Sequence, residues 1–184
     1  GLQFEYVAQR SVRVLPSLYK FSAHWGGQAG WLLFWTLIAC IFTVVATWFF
    51  RNQAPSMKPY INAVLLVNVA FFLSVVIFAA NPFGRLWQNG AGDIVTAVFQ
   101  PAGTRAFFPA DGQGLNPQLQ NYWMVIHPVF LYLGFVGMTV PFAFAVAALV
   151  TGQLGNTWIK MIRKWTLVPW IFLGLGILLG SQWA

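Results

Sequence analysis

The feature that most constrains this chain is a set of four long runs that contain no Asp, Glu, Lys or Arg. A helix needs about 20 apolar residues to cross the hydrocarbon core of a bilayer. Inside a bilayer every backbone N–H and C=O must be paired within the spanning structure, and these runs lack the alternation of barrel strands. We therefore predict an all-α fold, a polytopic membrane helical bundle with about four transmembrane helices: Trp31–Phe50, Tyr60–Ala80, Met124–Val150 and Trp165–Ala184.

Composition indicates that the bilayer is the main solvent of this chain. Hydrophobic residues make up 59% of it and charged residues 7%, whereas a soluble domain carries about 25% charged residues. The single cysteine, Cys40, has no second cysteine to pair with. A disulfide framework and a zinc site made of thiolates are therefore both excluded.

The distribution of charge predicts the topology, because Lys and Arg concentrate in cytoplasmic loops. The connection between spans one and two and that between spans three and four hold five of the ten basic residues: Arg51, Lys58, Lys160, Arg163 and Lys164. The long connection has no net charge and belongs outside. The predicted segments are an extracytoplasmic N-terminal segment (1–30), a transmembrane helix pair (31–80), an extracytoplasmic loop (81–123) and a second helix pair (124–184). Because topology explains half of the basic residues, we predict contact with membrane lipid and no nucleic-acid partner.

Carboxylates are scarce, which excludes several kinds of chemistry. The chain has three, Glu5, Asp93 and Asp111, and all lie outside the spans. No buried acid is present to relay protons or bind a transported cation, so a proton-driven pump is disfavoured. The sequence also lacks a phosphate-binding glycine loop and a Ser-His-Asp arrangement. We assign no catalytic residue.

Two histidines remain as candidates for chemistry. His127 lies three residues into the third span, and His24 lies seven residues before the first. In one interpretation both are interfacial side chains that hydrogen-bond to water. In the other, a neutral imidazole beside an apolar, aromatic surface is an axial ligand of heme iron.

Tryptophan has a similar pair of interpretations. The chain has ten, and several lie near the predicted outer ends of spans: Trp25, Trp31, Trp123 and Trp183. An aromatic interface belt explains most of them, while a flat ligand such as a porphyrin could stack on Trp25 and Trp123. Within the spans, glycines and two prolines predict close helix packing and bends, and Asn62 and Asn68 are predicted to hydrogen-bond to neighbouring helices.

Several strings resemble the CcmF family, the heme lyase subunits of cytochrome c-type biogenesis (CcmF/NrfE/CcsA family). They occur in the family's order over nearly the whole chain and match its N-terminal part. They are YVA (6–8), LPSLYK (15–20), WGGQAG (25–30), LLFW (32–35), NPF (81–83), GLNPQLQ (114–120), MVIHPVFLYLGFVGMTVPFAFA (124–145) and WTLVPWIFLGLGILLGSQWA (165–184).

The resemblance implies specific roles. The family's histidine in the corresponding His-Pro string is an axial ligand of heme presented at the outer membrane face, which maps to His127. Asn116 and Pro117 would shape the outer vestibule. The implied cofactor is heme, as heme b before attachment. The implied partners are the heme chaperone CcmE, CcmH and apocytochrome c, and the implied location is the bacterial inner membrane or the mitochondrial inner membrane.

The sequence also departs from the family pattern. Gln28 and Ala29 stand where the family usually has His-Glu, and Val129 stands where a second proline is common. The family's tryptophan-rich heme-handling motif and its further histidine ligands lie beyond the strings found here. We therefore expect this chain to work with the remainder of a CcmF-like chain and not to be a complete enzyme by itself.

These features predict a membrane subunit of cytochrome c maturation that holds heme at the outer membrane face for covalent attachment to apocytochrome c. The alternative is a non-catalytic structural subunit of a membrane complex that has no role in heme handling. Heme that depends on His127 would distinguish the two.

Overall fold

The computed structural model describes residues 1–183, with side chains through Gln182. Its regular elements are mostly helical, as the sequence predicts. The helices are α1 (Glu5–Arg10), α2 (Ser17–Ser22), α3 (Gln28–Phe49), α4 (Lys58–Phe78), α5 (Tyr122–Gly137), α6 (Thr139–Thr151) and α7 (Thr157–Trp183), with short 3-10 turns at Ala23–Trp25 and Pro117–Leu119.

Four stretches of helix are long and apolar enough to cross a membrane: Gln28–Phe49, Lys58–Phe78, Tyr122–Thr151 and Thr157–Gln182. The predicted helical membrane bundle is therefore confirmed, and the chain is a multi-pass membrane protein. The largest difference from prediction is at α7, which begins eight residues earlier than the predicted Trp165. A Lys or Arg can lie in the first turns of a membrane helix because its flexible stem carries the charge to the interface.

The third span consists of two helices instead of one. α5 ends at Gly137 and α6 begins at Thr139. Pro141 has no N–H and cannot donate to the carbonyl of Gly137, so the regular hydrogen-bond ladder is interrupted there. This break agrees with the bend predicted from proline.

The long loop contains a small antiparallel sheet that the sequence analysis did not predict. Its strands are β1 (Arg85–Gln88), β2 (Ile94–Ala97) and β3 (Arg105–Ala106), in the order β2-β1-β3. The side-chain oxygen of Asn89 accepts hydrogen bonds from the backbone N–H groups of Ala91 and Asp93, which fixes the β1–β2 turn. The strands are short and mostly exposed, so they lack the apolar alternation that reveals longer strands.

The described chain divides into two compact units. The first unit is formed by Gly1–Phe34 and Val75–Val125, and the second by Trp35–Ser74 and the residues from Ile126 onward. The four segments predicted from the sequence group the chain differently, and their boundaries remain predictions.

In the first unit the N-terminal segment hydrogen-bonds to the long loop. The backbone N–H of Leu86 donates to the carbonyl of Gln3 at 2.8 Å, and that of Gln113 donates to Ala8 at 2.7 Å. A small apolar cluster stabilises this unit and is formed by Leu15, Ala23 and Leu115.

The second unit has the larger core, in which helices α3, α4, α6 and α7 meet. Phe144, Val140 and Leu65 are among its most deeply buried side chains. The hydroxyl of Thr47 donates to the side-chain oxygen of Asn62 at 3.3 Å, so the predicted contact of Asn62 with a neighbouring helix is confirmed. The core includes Ile162 of α7, the helix that also contacts His127.

Candidate functional site

The candidate site is centred on His127, in the second turn of α5. Its ring nitrogen Nδ1 lies 2.6 Å from the backbone carbonyl oxygen of Gly176 on α7. A carbonyl oxygen can only accept a hydrogen bond, so Nδ1 carries the proton and donates it. In the neutral imidazole, the lone pair is then at Nε2, the nitrogen that can ligate a metal.

This arrangement is the one that metal-ligating histidines usually have. A hydrogen bond from one ring nitrogen to a carbonyl or carboxylate fixes the tautomer and the orientation of the ring. Here the acceptor is a backbone atom of a packed membrane helix. The acceptor therefore cannot rotate away as a side chain could, and the position of the imidazole is set by the packing of α5 against α7.

Glycine makes this packing possible. A Cβ atom at Gly180 would lie 2.6 Å from Cε1 of His127 and 2.8 Å from its Nδ1. A Cβ at Gly176 would lie 2.7 Å from a methyl group of Leu131 on α5. Any larger residue at these positions would push the helices or the ring apart, so the close helix packing predicted from glycine is confirmed here.

Not every glycine of α7 has this function. A Cβ at Gly174 would meet nothing within 4 Å. Gly174 and Gly180 lie on the same helix and differ in what they face. The same substitution at the two positions should therefore disturb the ring of His127 at Gly180 and leave it in place at Gly174.

The structure places Trp25 inside the first unit. Its side chain is 5% exposed, stacks on Phe34 with ring centroids 5.1 Å apart, and meets Phe21 edge-on at 5.0 Å. Among the described residues, its indole N–H is buried and has no hydrogen-bond partner. The ring is used in packing, and its predicted contact with a porphyrin stays a prediction.

Trp123 lies at the start of α5, one turn before His127 on the same helix. Its backbone N–H donates to the side-chain oxygen of Asn121 at 2.9 Å, which caps the helix. Its ring packs edge-on against Tyr122 with centroids 5.7 Å apart. Trp123 is partly exposed, unlike Trp25.

Asn116 and Pro117 form the turn that precedes this helix. The side-chain oxygen of Asn116 accepts a hydrogen bond from the backbone N–H of Gln118 at 3.0 Å. Pro117 occupies the first position of the 3-10 turn, where its missing N–H costs nothing. Both residues thus shape the backbone that leads into α5, and the role in an outer vestibule that the resemblance implies stays a prediction.

His24 lies in the 3-10 turn of the first unit. The hydroxyl of Tyr6 donates to its carbonyl at 2.8 Å, and its ring meets Phe34 edge-on with centroids 6.5 Å apart. Partial burial lowers the pKa of the His24 imidazole. The structure therefore gives His24 contacts within the first unit.

The residues available for metal binding restrict the kind of metal that fits. Within the described part of the chain, no group of three or more His, Cys, Asp or Glu side chains comes together. Zinc needs three or four protein ligands, whereas porphyrin itself supplies four nitrogens to iron and leaves only axial positions to the protein. A single oriented histidine therefore fits heme iron and not a bare metal ion.

The sequence analysis identified His127 but missed its partners. Gly176 acts through a backbone carbonyl, which no side-chain pattern reveals. A signal was nevertheless present, because Gly176 and Gly180 are spaced as one face of a helix and flank the position of the ring.

Comparison with known proteins decides the family. The sequence profile of the family described as cytochrome C assembly protein matches residues 25–184. The chain belongs to this family. The cytochrome c-type biogenesis protein CcmF of Pseudomonas aeruginosa is 42% identical over 179 residues, which is 97% of the chain and 24% of that protein.

Two further relatives are also described as cytochrome c-type biogenesis proteins. CcmF of Escherichia coli is 38% identical, with 97% of this chain and 25% of the relative covered. The cytochrome c-type biogenesis protein NrfE of Haemophilus influenzae is 34% identical, with 98% and 25% covered. The predicted resemblance to the N-terminal part of CcmF is confirmed. This member of the cytochrome C assembly protein family spans about a quarter of the length of the curated relatives it matches, and no solved structure matches it.

Proposed function

We propose that this chain acts in cytochrome c maturation by holding heme at the outer membrane face, with Nε2 of His127 as an axial ligand of the iron. The observation that carries the proposal is the hydrogen bond from Nδ1 of His127 to the Gly176 carbonyl. This bond selects the tautomer whose lone pair is at Nε2 and holds the ring in one orientation. Heme is the substrate, and His127 binds it until it is attached to the apocytochrome.

The attachment of heme to the apocytochrome requires little acid–base chemistry from this chain. Each cysteine thiol of the apocytochrome adds across a vinyl group of heme, so that an S–C bond forms and the thiol hydrogen passes to the neighbouring vinyl carbon. The reaction requires no acid from the spans, and the spans contain no carboxylate. The contribution of His127 is to position heme and to keep one axial site closed to water and other ligands.

The first unit is the proposed contact surface for soluble and membrane partners. CcmE would deliver heme, CcmH would supply the reduced apocytochrome c, and the remainder of a CcmF-like chain would complete the lyase. Asn116 and Pro117 would position the start of α5, and contacts of Trp25 and Trp123 with heme stay predictions. The proposed location is a bacterial or mitochondrial inner membrane, with the N-terminal segment, the long loop and the heme site on the extracytoplasmic side.

The experiment is to purify the protein from membranes and record its visible absorption spectrum for wild type, His127→Ala and His24→Ala. The proposal expects a Soret band in wild type and in His24→Ala, and its loss or shift in His127→Ala. The structural alternative, a subunit without a heme role, predicts that His127→Ala leaves any heme spectrum unchanged. Size-exclusion chromatography of each variant checks that the assembly is intact.

A further inference from the structure

The second unit carries a groove that the proposed heme site does not use. Its volume is about 450 Å³, and helices α3, α5 and α7 form its walls. Apart from one lysine, its lining is apolar, and it includes Ile41, Val45, Phe49, Met161, Trp165 and Val168. Several of these side chains are largely exposed, so the groove is open to the membrane.

Lys164 is the one charged side chain that lines the groove. It is exposed and lies in the first third of α7. At that end of the unit, the side-chain amide of Gln153 donates to the hydroxyl of Ser56, which joins the α3–α4 loop to the α6–α7 loop. The ammonium group of Lys164 therefore lies towards the end at which both basic connections of this unit meet.

The charges at this end have no carboxylate to balance them. The second unit contains Arg51, Lys58, Lys160, Arg163 and Lys164 and has no Asp or Glu, because all three carboxylates of the chain belong to the first unit. Cations at a membrane interface attract anionic headgroups at about 1 kcal/mol for each Lys or Arg. The counter-ions that this unit lacks are thus available from the lipid.

We propose that the groove binds an anionic phospholipid, with one acyl chain along α3 and α7 and the phosphate beside Lys164. An apolar channel that ends at an unbalanced cation is complementary to a molecule with an apolar tail and an anionic head. A further apolar transmembrane helix would fill the channel but would leave the ammonium group without a counter-ion. Lipid bound here would support α7, the helix that supplies Gly176 and Gly180 to His127.

Native mass spectrometry of the purified protein tests this with two probes of matched acyl chains, phosphatidylglycerol and phosphatidylcholine. Phosphatidylglycerol should bind more tightly. Lys164→Gln should weaken its binding about fivefold, which corresponds to about 1 kcal/mol. Arg163→Gln removes the same charge from the neighbouring exposed position, which does not line the groove, and should weaken binding less than Lys164→Gln does.

A second pair of variants tests the apolar part of the site. Val45 lines the groove and is 45% exposed, whereas Val44 is 67% exposed and does not line it. Val45→Trp should fill the groove and lower phosphatidylglycerol binding, and Val44→Trp should not. Equal binding of the two lipids, equal effects of Arg163→Gln and Lys164→Gln, or no bound lipid in wild type would each overturn the proposal. None of these results depends on heme.

Discussion

Nδ1 of His127 donates a hydrogen bond to the carbonyl oxygen of Gly176 over 2.6 Å and so links α5 to α7. This contact determines which nitrogen can face a ligand and fixes the plane of the imidazole. It also makes the geometry of the candidate site depend on helix packing, because the acceptor belongs to the backbone.

The first prediction concerns the glycine beside the ring. Gly180→Ala would place a Cβ 2.6 Å from Cε1 of His127 and displace the imidazole from Gly176. We expect heme affinity to fall about tenfold to a hundredfold, as with other changes to the partners of metal-ligating histidines. Titration of the purified variant with hemin, followed at the Soret band, measures this.

The control for this variant is Gly174→Ala, since a Cβ at Gly174 would meet nothing within 4 Å. It makes the same chemical change on the same helix and should bind hemin as wild type does. If both variants lose affinity equally, the effect comes from helix propensity or general packing and the assigned orientation of His127 is wrong.

Much of this architecture could be predicted from the sequence, and the reasons are physical. The spans were predictable because charged side chains are rare in the hydrocarbon core of a bilayer. An uncharged apolar run as long as Tyr60–Ala80 therefore forms a transmembrane helix. His127 was identifiable because few other polar groups exist in the membrane segments. Its partner Gly176 was not identifiable, since every residue has a backbone carbonyl and the sequence does not show which carbonyl accepts the hydrogen bond.

Two further features show where sequence reasoning stops. The sheet around Trp87 depends on pairing between strands of two to four residues, which is tertiary information. Trp25 was grouped with interfacial tryptophans because it precedes a span. It is buried because the 3-10 turn directs its ring against Phe34, a contact that residue spacing alone does not reveal.

The second prediction concerns Tyr6, whose hydroxyl donates to the carbonyls of His24 at 2.8 Å and Gly27 at 3.2 Å. Tyr6→Phe should destabilise this part of the first unit by about 1 kcal/mol, the usual net value of a hydrogen bond. Hydrogen–deuterium exchange of peptides that cover residues 20–30 measures the change. Tyr122→Phe, at an exposed position, should leave that exchange as in wild type.

The same tyrosine gives an alkaline pH dependence. Burial raises the pKa of Tyr6 above its usual 10.0, with a smaller opposing effect from Arg10. Its stabilising contribution is therefore present below pH 10.0 and is lost as the pH rises through the raised pKa, because a phenolate cannot donate. The protection factors of residues 20–30, which compare measured with intrinsic exchange at each pH, should fall over this range in wild type and should not fall in Tyr6→Phe.

The third prediction concerns Asp111, which ties the long loop to the N-terminal segment. Hydrogen bonds from the backbone N–H groups of Arg13 and Gly112 lower the pKa of its carboxyl below the usual 3.8. Its contribution is present above pH 3.8 and is lost as the pH falls through the lowered pKa. The amide NMR signal of Arg13 should therefore shift on acidification.

Asp111→Asn should abolish this shift, because the amide does not titrate. Asp93→Asn is the matched control, since the Asp93 carboxylate accepts from Asn89 in the β1–β2 turn and has no bond to Arg13. A titration of the Arg13 amide that survives in Asp111→Asn would show that another group controls it.

The most direct test of the central claim is pulsed electron paramagnetic resonance of the ferric, heme-loaded protein grown with ¹⁵N-histidine. The chain has two histidines, so His24→Ala and His127→Ala resolve the assignment. We predict a hyperfine coupling from a directly bound imidazole nitrogen that is retained in His24→Ala and lost in His127→Ala. A coupling that persists unchanged in His127→Ala would contradict the assignment of His127 as the axial ligand.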